Sequence, residues 1–579
     1  MLMRKLFTLS ILLTALAALV SCSSGDTDTD PNPPASTSPI VRNDFEADIT
    51  SSRAGLSRTL QFNAADSWTA ASTDRTILEI AEGTAGSKGL SRIKISVSEN
   101  NTGAPRTASI IITVNGYDPL TLVTVTQNSA DAHPDYQVNN QKIDPILSEY
   151  YLWNTEYINL NRNYAQAYDD FVEKTLLSMS TNDGDGGRYS DGSRYLYTYI
   201  TRTPSGRSVL SKEAVDSFGI INLQVLRFSN VNDAYGFAIL GVYPDSPASR
   251  AGIVRGDIIA QWNGANITST NFADVFYTLV LPSAGDKASF KLNVENAQTI
   301  TLTAESIYAN PVLHSEVIEM AGSKIGYVVY SDFEASFDDE LLEVLRGFKS
   351  QGIDDIIVDL RVNGGGHVIS AQMLSSIIAG DRATGKACIK YLYNGNRMQT
   401  GGWSYPDKLP TTNFGPASNT SDYSTGDYLS LSRAYFIVSD LTASASELTF
   451  TALRGIDFPV TLIGSTTEGK NVGMEPQYFD FGGYSYEFLP ITFMYLNAKN
   501  ETCDSNGTVP DYEVDDWDPS SGYADWNDRN DPCVAKALEL ITGQSVLRTR
   551  AASDNGVTRM GSLPHPRSGR LIAPRTIEQ

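Results

Sequence analysis

The chain has 579 residues, which is too long for one domain and predicts about three or four. Its formal net charge of −23 argues against nucleic-acid binding, because a phosphate backbone would be repelled over most of the surface. A hydrophobic fraction of 41% with only 19% charged residues excludes a chain that is disordered throughout.

Residues 1–21 form a targeting segment, with Arg4 and Lys5 ahead of an apolar stretch too short to span a bilayer comfortably. The segment runs into the letters LVSC, which resemble the lipobox of bacterial lipoproteins. The resemblance implies cleavage before Cys22, acylation of that cysteine and a lipid anchor in the cell envelope. Ser23 directly after it favours the outer membrane, with the periplasmic and surface-exposed faces both open. The alternative is a plain secretory signal that ends nearby.

Residues 22–39 are rich in Ser, Asp, Thr and Pro and predict a solvated linker. Residues 40–129 then alternate between apolar and polar positions, with turn residues between short runs, as in a β-sandwich. The predicted strands include 59–62, 93–97, 108–112 and 122–126. Trp68 after Asp-Ser, and the closing run Val-Thr-Val-Thr-Gln, resemble the BACON domain, an immunoglobulin-like module of bacterial surface proteins. The resemblance implies carbohydrate binding; we favour the alternative, a spacer with Trp68 in its core.

Residues 135–215 are predicted to be mainly helical, because apolar residues recur there at three- and four-residue steps. The loop at 182–187 is rich in Asp and Gly, which invites a calcium interpretation. Arg194 stands where an EF-hand needs glutamate, so we interpret the loop as a plain turn.

Residues 216–306 resemble a PDZ domain. Phe218, Gly219 and Ile220 lie where such domains place their carboxylate-binding loop, and the runs DSPA, AGI and RGDII follow in the order of that motif. The resemblance implies that the loop receives a terminal carboxylate while the peptide pairs as an added strand. The alternative is a generic β-rich interaction domain.

Residues 307–545 alternate between strands and helices and predict an α/β core. The strands are predicted at 324–330, 356–360 and 435–438, and the helices at 340–348, 371–378 and 447–453. Residues 546–579 contain six arginines and little apolar content, which predicts a disordered tail.

Ser444 is the most informative residue of this core. It follows a predicted strand and precedes a predicted helix, so its hydroxyl would lie over the positive end of the helix, where an oxyanion is stabilised. The alternative is structural, because Ser444 and Glu447 have the spacing of a capping box. The two roles are compatible.

Lys470, 26 residues after Ser444, is the predicted general base. A free lysine has a pKa near 10.4, so a base that works near neutral pH needs a depression of about 3 units, which burial can supply. Glu468 and Glu475 are nearby charges that would keep the amine protonated. We therefore predict that both carboxylates point away from Lys470.

Three runs in order, DLRVNGGG at 359–366, TASASE at 442–447 and GSTTEGK at 464–470, resemble the carboxy-terminal processing (tail-specific) peptidases. The resemblance implies a crotonase-like core, Ser444 as nucleophile and Lys470 as base. It also implies an oxyanion hole from the N–H of Ala445 and of a glycine in the run, Gly365 or Gly366. Many relatives carry a glutamine four residues after the lysine, but Met474 stands here and the nearest glutamine is Gln477.

The sequence therefore predicts a serine endopeptidase that cleaves extracytoplasmic proteins and needs no metal or organic cofactor. A histidine base, for which His367 is the candidate, is made unnecessary by the Ser/Lys spacing. The competing hypothesis is a catalytically inactive lipoprotein that binds peptides or carbohydrate at the cell surface. Cys388 is expected to be a buried thiol, and the pairing of Cys503 with Cys533 is left open.

Overall fold

A computed structural model describes most of the chain. The described residues are 38–43, 45–51, 55–100, 105–128, 134–188, 192–204, 214–292, 299–416, 422–518, 521–545, 557–560 and 571–572. The predictions for residues 1–21 and Cys22 lie outside them. Within the described ranges, no helix combines the length and hydropathy needed to cross a bilayer.

The first described region is a β-sandwich. Its strands are β1 (Ile40–Arg42), β2 (Asp48–Ser51), β3 (Leu56–Ala64), β4 (Trp68–Ser72), β5 (Leu78–Glu82), β6 (Ala85–Gly86), β7 (Gly89–Val97), β8 (Arg106–Val114) and β9 (Leu120–Gln127). One sheet has the order β1-β3-β7-β5 and the other β2-β9-β8-β4-β6. The four predicted strands are confirmed, because alternate side chains of β3, β7 and β8 are buried between the sheets. Trp68 lies in this core and donates its indole N–H to Ser91 Oγ at 2.9 Å, as the spacer alternative expects.

The next region begins with helices and ends with strands. It contains α1 (Pro134–Val138), a π-helical turn (Asn139–Ile143), α2 (Asp144–Tyr150), α3 (Asn154–Tyr157) and α4 (Tyr168–Leu177), then β10 (Gly187–Arg188), β11 (Arg194–Tyr195) and β12 (Tyr199–Pro204). The helical prediction is correct for the first part and wrong for β10 to β12. Aromatic and β-branched residues such as Tyr199, Ile200 and Thr201 fit a pleated sheet better than a helix.

The third region is β-rich with two helices. Its elements are β13 (Ala214–Ser217), β14 (Ile220–Phe228), β15 (Tyr235–Val242), α5 (Pro247–Arg250), β16 (Ile258–Trp262), β17 (Ala265–Asn266), α6 (Phe272–Val280), β18 (Lys287–Leu292), β19 (Thr299–Thr303) and β20 (Glu305–Tyr308). The main sheet runs β19-β18-β16-β15-β14, and its core includes Phe237, Phe276 and Phe290.

The α/β core carries the predicted chemistry on two six-stranded sheets. Its strands are β21 (Val312–Met320), β22 (Ser323–Tyr330), β23 (Asp355–Asp359), β24 (Gly366–His367), β25 (Ala387–Tyr393), β26 (Thr411–Asn413), β27 (Ala434–Val438), β28 (Val460–Gly464), β29 (Val472–Met474), β30 (Gln477–Phe481), β31 (Tyr484–Leu489), β32 (Ile491–Leu496), β33 (Tyr512–Glu513), β34 (Trp517–Asp518) and β35 (Gly522–Tyr523). Its helices are α7 (Asp338–Gln351), α8 (Val368–Ala379), α9 (Gly395–Thr400), α10 (Ala445–Gly455) and α11 (Pro532–Thr542). Every predicted strand and helix of this core is confirmed.

The first sheet has the order β21-β22-β23-β27-β28-β33, and β22 to β33 are parallel. Their carboxyl ends therefore meet at one edge, where the loops after β23, β27 and β28 come together. The helical region packs onto the core from the other side, because β12 pairs with β31 and its apolar residues share one cluster with β29, β31 and β32.

The tail forms two further strands, β36 (Val557–Arg559) and β37 (Leu571–Ile572). For these residues the prediction of disorder is wrong. The composition supplies no core of its own, but a short strand can be stabilised by the edge of an existing sheet. β36 extends the sheet of the third region beside β14, and β37 joins the second core sheet, whose order is β24-β37-β29-β32-β25-β26.

Three cysteines lie within the described residues, and all are free and buried. The prediction for Cys388 is confirmed. Cys503 and Cys533 belong to separate hydrophobic cores, so the pairing that the sequence left open is not made.

Candidate active site

Ser444 lies in a strained turn between β27 and α10. Its backbone has φ 66° and ψ −112°, a left-handed conformation that is costly for a residue with a Cβ and is typical of strand-to-helix nucleophile turns. The residue is buried, and its hydroxyl has no hydrogen-bond partner among the described residues. The N-terminus of α10 begins at the next residue. The turn therefore presents a hydroxyl that local structure does not use.

Glu447 joins the Ser444 turn to the Lys470 loop. Its Oε2 accepts the N–H of Ser444 at 2.9 Å and the N–H of Lys470 at 2.8 Å. Because both bonds end at one oxygen, the two nitrogens lie within about 6 Å of each other. Only the carboxylate half of the predicted capping box thus uses Ser444, through its backbone rather than its hydroxyl.

The second Glu447 oxygen binds the same loop. Oε1 accepts the N–H of Gly469 at 2.9 Å and the hydroxyl of Thr467 at 2.5 Å. Burial raises the pKa of Glu447 to about 7, against the opposing effect of these hydrogen bonds, with Thr467 the strongest. A carboxylate that accepts four donors and no cation is the centre of the site.

Lys470 is 1% exposed, and its Nζ lies 4.3 Å from the centroid of the Tyr197 ring. Tyr197 comes from the segment between β11 and β12, far away in sequence, and its hydroxyl donates to Glu468 Oε1 at 2.8 Å. A ring face attracts an ammonium group and restricts where it can lie. Nothing in the sequence marked Tyr197, because only the fold brings it to Lys470.

The two acidic neighbours of Lys470 have other partners, as predicted. Glu468 also accepts from the Tyr195 hydroxyl at 2.6 Å, while Glu475 pairs with Arg397 and accepts from the Tyr393 hydroxyl at 3.1 Å. Both carboxylates are therefore held by residues outside the Ser444 turn.

Neither residue considered for the third position resembles an orienting amide. Met474 is 1% exposed and packs in the cluster shared with the helical region. Gln477 donates its side-chain amide to the Glu475 carbonyl at 3.2 Å. A buried acid, Asp185, lies close enough to Lys470 for a Coulombic effect, although its oxygens accept from the Tyr151 hydroxyl at 2.7 Å and from the N–H groups of Tyr197 and Thr198. Burial raises the pKa of Asp185.

Asn363 fixes the glycine run beside the Ser444 turn. Its carbonyl accepts from Ala443 N–H at 3.2 Å and Ser446 Oγ at 3.1 Å, while its Oδ1 accepts from Gly365 N–H at 2.9 Å. Gly365 is thus already engaged, which favours Gly366 as the glycine donor to an oxyanion. Gly366 has φ 136°, and a Cβ there would collide with the Phe333 carbonyl, so only glycine fits.

His367 follows the glycine run at the mouth of α8. Its Nδ1 lies 3.2 Å from the Phe333 carbonyl and accepts from Ala335 N–H at 3.3 Å. Within the described residues these contacts direct the ring toward the Phe333 segment and not toward Ser444.

The predicted carboxylate-binding loop is largely occupied by its own neighbours. Phe218 is fully buried, and Gly219 N–H donates to Ser217 Oγ at 2.9 Å. Ile220 begins β14 and pairs with Val242 of β15. One of the three proposed donors is therefore engaged.

Comparisons with known proteins agree with this geometry. Residues 324–514 match the model of peptidase family S41, and residues 66–128 match the BACON model, an N-terminal domain to which a binding role is attributed. The carboxyl-terminal-processing protease of Picosynechococcus is 25% identical over 362 residues, which cover 62% of this chain and 78% of that protein. The carboxy-terminal processing protease CtpA of Bacillus subtilis is 25% identical over 370 residues, which cover 62% of this chain and 69% of that protein.

Two further comparisons differ in extent. The chain is 27% identical to the chloroplastic carboxyl-terminal-processing peptidase 2 of Arabidopsis thaliana over 139 residues, which are 23% of this chain and 26% of that protein. A Bacteroides fragilis crystal structure assigned to the S41 proteases has a TM-score of 0.53 and 22% identity, and covers 69% of this chain and 97% of that one. This last likeness concerns the fold. Together the matches identify residues 324–514 as an S41 peptidase domain and residues 66–128 as a BACON domain, and they support a serine-type peptidase function.

Proposed function

We propose that this chain is a serine endopeptidase in which Ser444 is the nucleophile and Lys470 the general base. The observation that carries the proposal is the Glu447 oxygen that accepts from the backbone N–H of both residues. It brings together two loops whose only other common feature is the chemistry assigned to them. The strained turn and the unused hydroxyl of Ser444 add to this support.

The proposed reaction begins when the neutral amine of Lys470 removes the hydroxyl proton of Ser444. The oxygen attacks the peptide carbonyl, and the N–H groups of Ala445 and Gly366 stabilise the negative charge on the carbonyl oxygen. The C–N bond then breaks, and the Lys470 ammonium returns its proton to the leaving amine. Water, deprotonated by Lys470, hydrolyses the acyl-enzyme and releases the second product.

The remaining regions receive roles by proposal. Residues 216–306 act as a PDZ domain that captures C-termini or unfolded segments, and residues 307–545 act as the crotonase-like catalytic core, entered past the helical region 135–215. Residues 40–129 hold this machinery away from a membrane to which Cys22 is anchored. The substrates are proteins outside the cytoplasm, and the printed names of the relatives favour processing at carboxyl termini.

A second candidate function is a peptide-binding protein without catalysis. One observation favours it: Met474, an apolar buried residue, stands where many relatives place an amide beside the lysine. The intact pair of Ser444 and Lys470 favours the enzyme.

The test uses a soluble chain that begins after residue 39, an unfolded protein as substrate, and Ser444→Ala and Lys470→Ala variants. Lys499→Ala is a matched control, since that lysine is exposed and binds Asp457 away from the site. Loss of cleavage in the first two variants but not in the control supports the enzyme. Equal behaviour of all four proteins, with peptide binding retained, supports the binder.

A further inference from the structure

The tail of the chain touches both surfaces that a substrate is proposed to use. Its described residues, 557–560 and 571–572, form strands on two different sheets. The tail is rich in arginine whereas the whole chain carries a net charge of −23, so the two are complementary in charge. The strands identify which parts of the molecule accept extended polypeptide.

The first contact is on the edge of the β-rich region. β36 pairs antiparallel with β14, with Val557 opposite Phe228 and Arg559 opposite Leu226. Met560 donates its N–H to the Val225 carbonyl at 2.8 Å, and Arg559 forms an ion pair with Asp515 at 2.5 Å.

The direction of this strand carries information. As the tail proceeds from 557 to 560, its partners on β14 fall from 228 toward 225, so it runs toward Ile220 and the predicted carboxylate-binding loop. An extended peptide that enters such a groove with its C-terminus leading has the same polarity. Since β15 covers the other edge of β14, this edge is the one open to an added strand.

The second contact is at the candidate active site. β37 lies between β24 and β29 and is parallel to both, with Leu571 opposite Gly366 and Ile572 opposite both His367 and Met474. Gly366 is the proposed oxyanion donor, and β29 begins two residues after Lys470. The tail backbone therefore occupies the gap between the oxyanion glycine and the strand that follows the base.

We propose that residues 557–560 and 571–572 are an intramolecular substrate analogue that occupies both grooves, and that a protein substrate must displace it. The substrates are then extended segments that pair along β14 and between β24 and β29, with their C-termini directed toward the loop at 218–220. This inference rests on the proposed function, because it treats the gap beside Gly366 as the substrate path. Competition of this kind raises the KM for a substrate and leaves kcat unchanged.

Proline substitutions in the full chain test the proposal. Met560→Pro removes the N–H that Val225 accepts, and Ile572→Pro removes a ladder donor from a strand with neighbours on both sides. The matched control carries Met560→Ala and Ile572→Ala, which keep both N–H groups. We expect the proline pair to lower KM for an unfolded protein at least about fivefold at unchanged kcat, while the alanine pair stays within about twofold of the parent. Unchanged KM in the proline pair overturns the proposal, as does a gain that vanishes when the enzyme is diluted, because that indicates a tail from a second copy.

A binding measurement separates this inference from the proposed function, since it needs no catalysis. A labelled peptide of residues 555–579 is titrated into the Ser444→Ala chain with and without the proline pair. Tighter binding, about fivefold or more, to the chain with the proline pair supports competition by the tattached tail even if no variant cleaves anything. Equal affinity for both chains overturns it even if the parent is an active peptidase.

Discussion

Glu447 and Asp531 are both buried carboxylates that join separate segments of the chain, but only Asp531 has cations beside it. Glu447 accepts from three backbone N–H groups and one hydroxyl. Asp531 pairs with Arg361 at 2.8 Å and with Arg255 at 3.5 Å, and also accepts the N–H groups that begin α11. Burial raises the pKa of Glu447 to about 7, whereas for Asp531 the two arginines outweigh burial and hold its pKa below the ordinary value.

The difference follows from what each cluster connects. Arg255 belongs to the β-rich region and Arg361 to the core, and Trp526 lies against both guanidinium groups, so the ion pairs fix the two regions together. Around Ser444 and Lys470 the loops are held by hydrogen bonds instead. A carboxylate that is only partly ionised near neutral pH holds these loops without placing a full permanent charge beside the base.

The largest expected effect comes from Glu447→Ala. The change leaves three buried N–H groups without their acceptor, and each such loss costs about 1–3 kcal/mol. The Ser444 turn and the Lys470 loop then lose their common anchor, and a shift of about 1 Å between reacting groups costs about a hundredfold in rate. We expect kcat to fall by that factor or more, together with a lower free energy of unfolding in urea.

Glu475→Ala is the matched control for that change. It also removes a buried carboxylate, one that pairs with Arg397 rather than with the catalytic loops. We expect it to lower stability while kcat stays within about threefold of the parent. If Glu447→Ala also kept kcat within threefold, the assignment of Glu447 as the link between the two loops would be wrong.

Asp531→Ala tests the ion-paired cluster. Removing one member of a buried pair costs about 3–5 kcal/mol, because Arg361 is left buried beside fewer negative charges. The α11 N-cap is lost as well. The measurement is the free energy of unfolding in urea, with Asp528→Ala, an exposed loop carboxylate nearby, as control. A cost below about 1 kcal/mol for Asp531→Ala contradicts a stabilising role for the pairing.

The two clusters should also respond to pH in opposite directions. The pKa of Glu447 is raised from 4.5 to about 7, so the folded state holds a proton there that the unfolded state has released. Its contribution is complete below pH 4.5 and is lost as the pH rises through about 7, amounting to about 3 kcal/mol. The pKa of Asp531 is lowered from 3.8, so its contribution is present above pH 3.8 and is lost as the pH falls further.

Comparing unfolding free energies of the parent and Glu447→Gln between pH 4.5 and 8 isolates the first effect. Asp338, whose pKa burial also raises to about 7, contributes equally to both proteins and cancels. The parent should lose its advantage over the variant as the pH rises. A difference that stays constant across this range is incompatible with the raised pKa of Glu447.

Local sequence patterns were sufficient for the elements that carry the chemistry. The apolar run before Asp440 and the helical spacing after Ser444 predicted β27 and α10, because a parallel strand and a buried helix both depend on local hydrophobic patterning. The residues between them were correctly interpreted as a turn. Gly366 was also within reach, since a glycine run beside a reactive centre indicates close backbone approach.

Long-range contacts were beyond local patterns. Tyr197 reaches Lys470 only because β12 pairs with β31, and the same pairing makes strands of residues interpreted as helical. The strands at 557–559 and 571–572 form because sheet edges elsewhere accept them, although the composition of the tail predicts disorder. Both errors arise where a distant edge, rather than local sequence, determines the conformation.

The smallest effect is expected at Tyr197, where the ring faces Lys470 and the hydroxyl binds Glu468. A ring face stabilises an ammonium by about 0.5–2 kcal/mol, so its removal in Tyr197→Leu favours the neutral amine. The acidic limb of the pH–rate profile should then move to lower pH by about 0.5–1 unit, because 1.36 kcal/mol corresponds to one unit. Tyr197→Phe retains the ring and should leave the limb within about 0.3 unit, despite the lost hydroxyl. If the phenylalanine variant moves the limb as far as the leucine variant, the hydroxyl bond to Glu468, and not the ring face, controls the base.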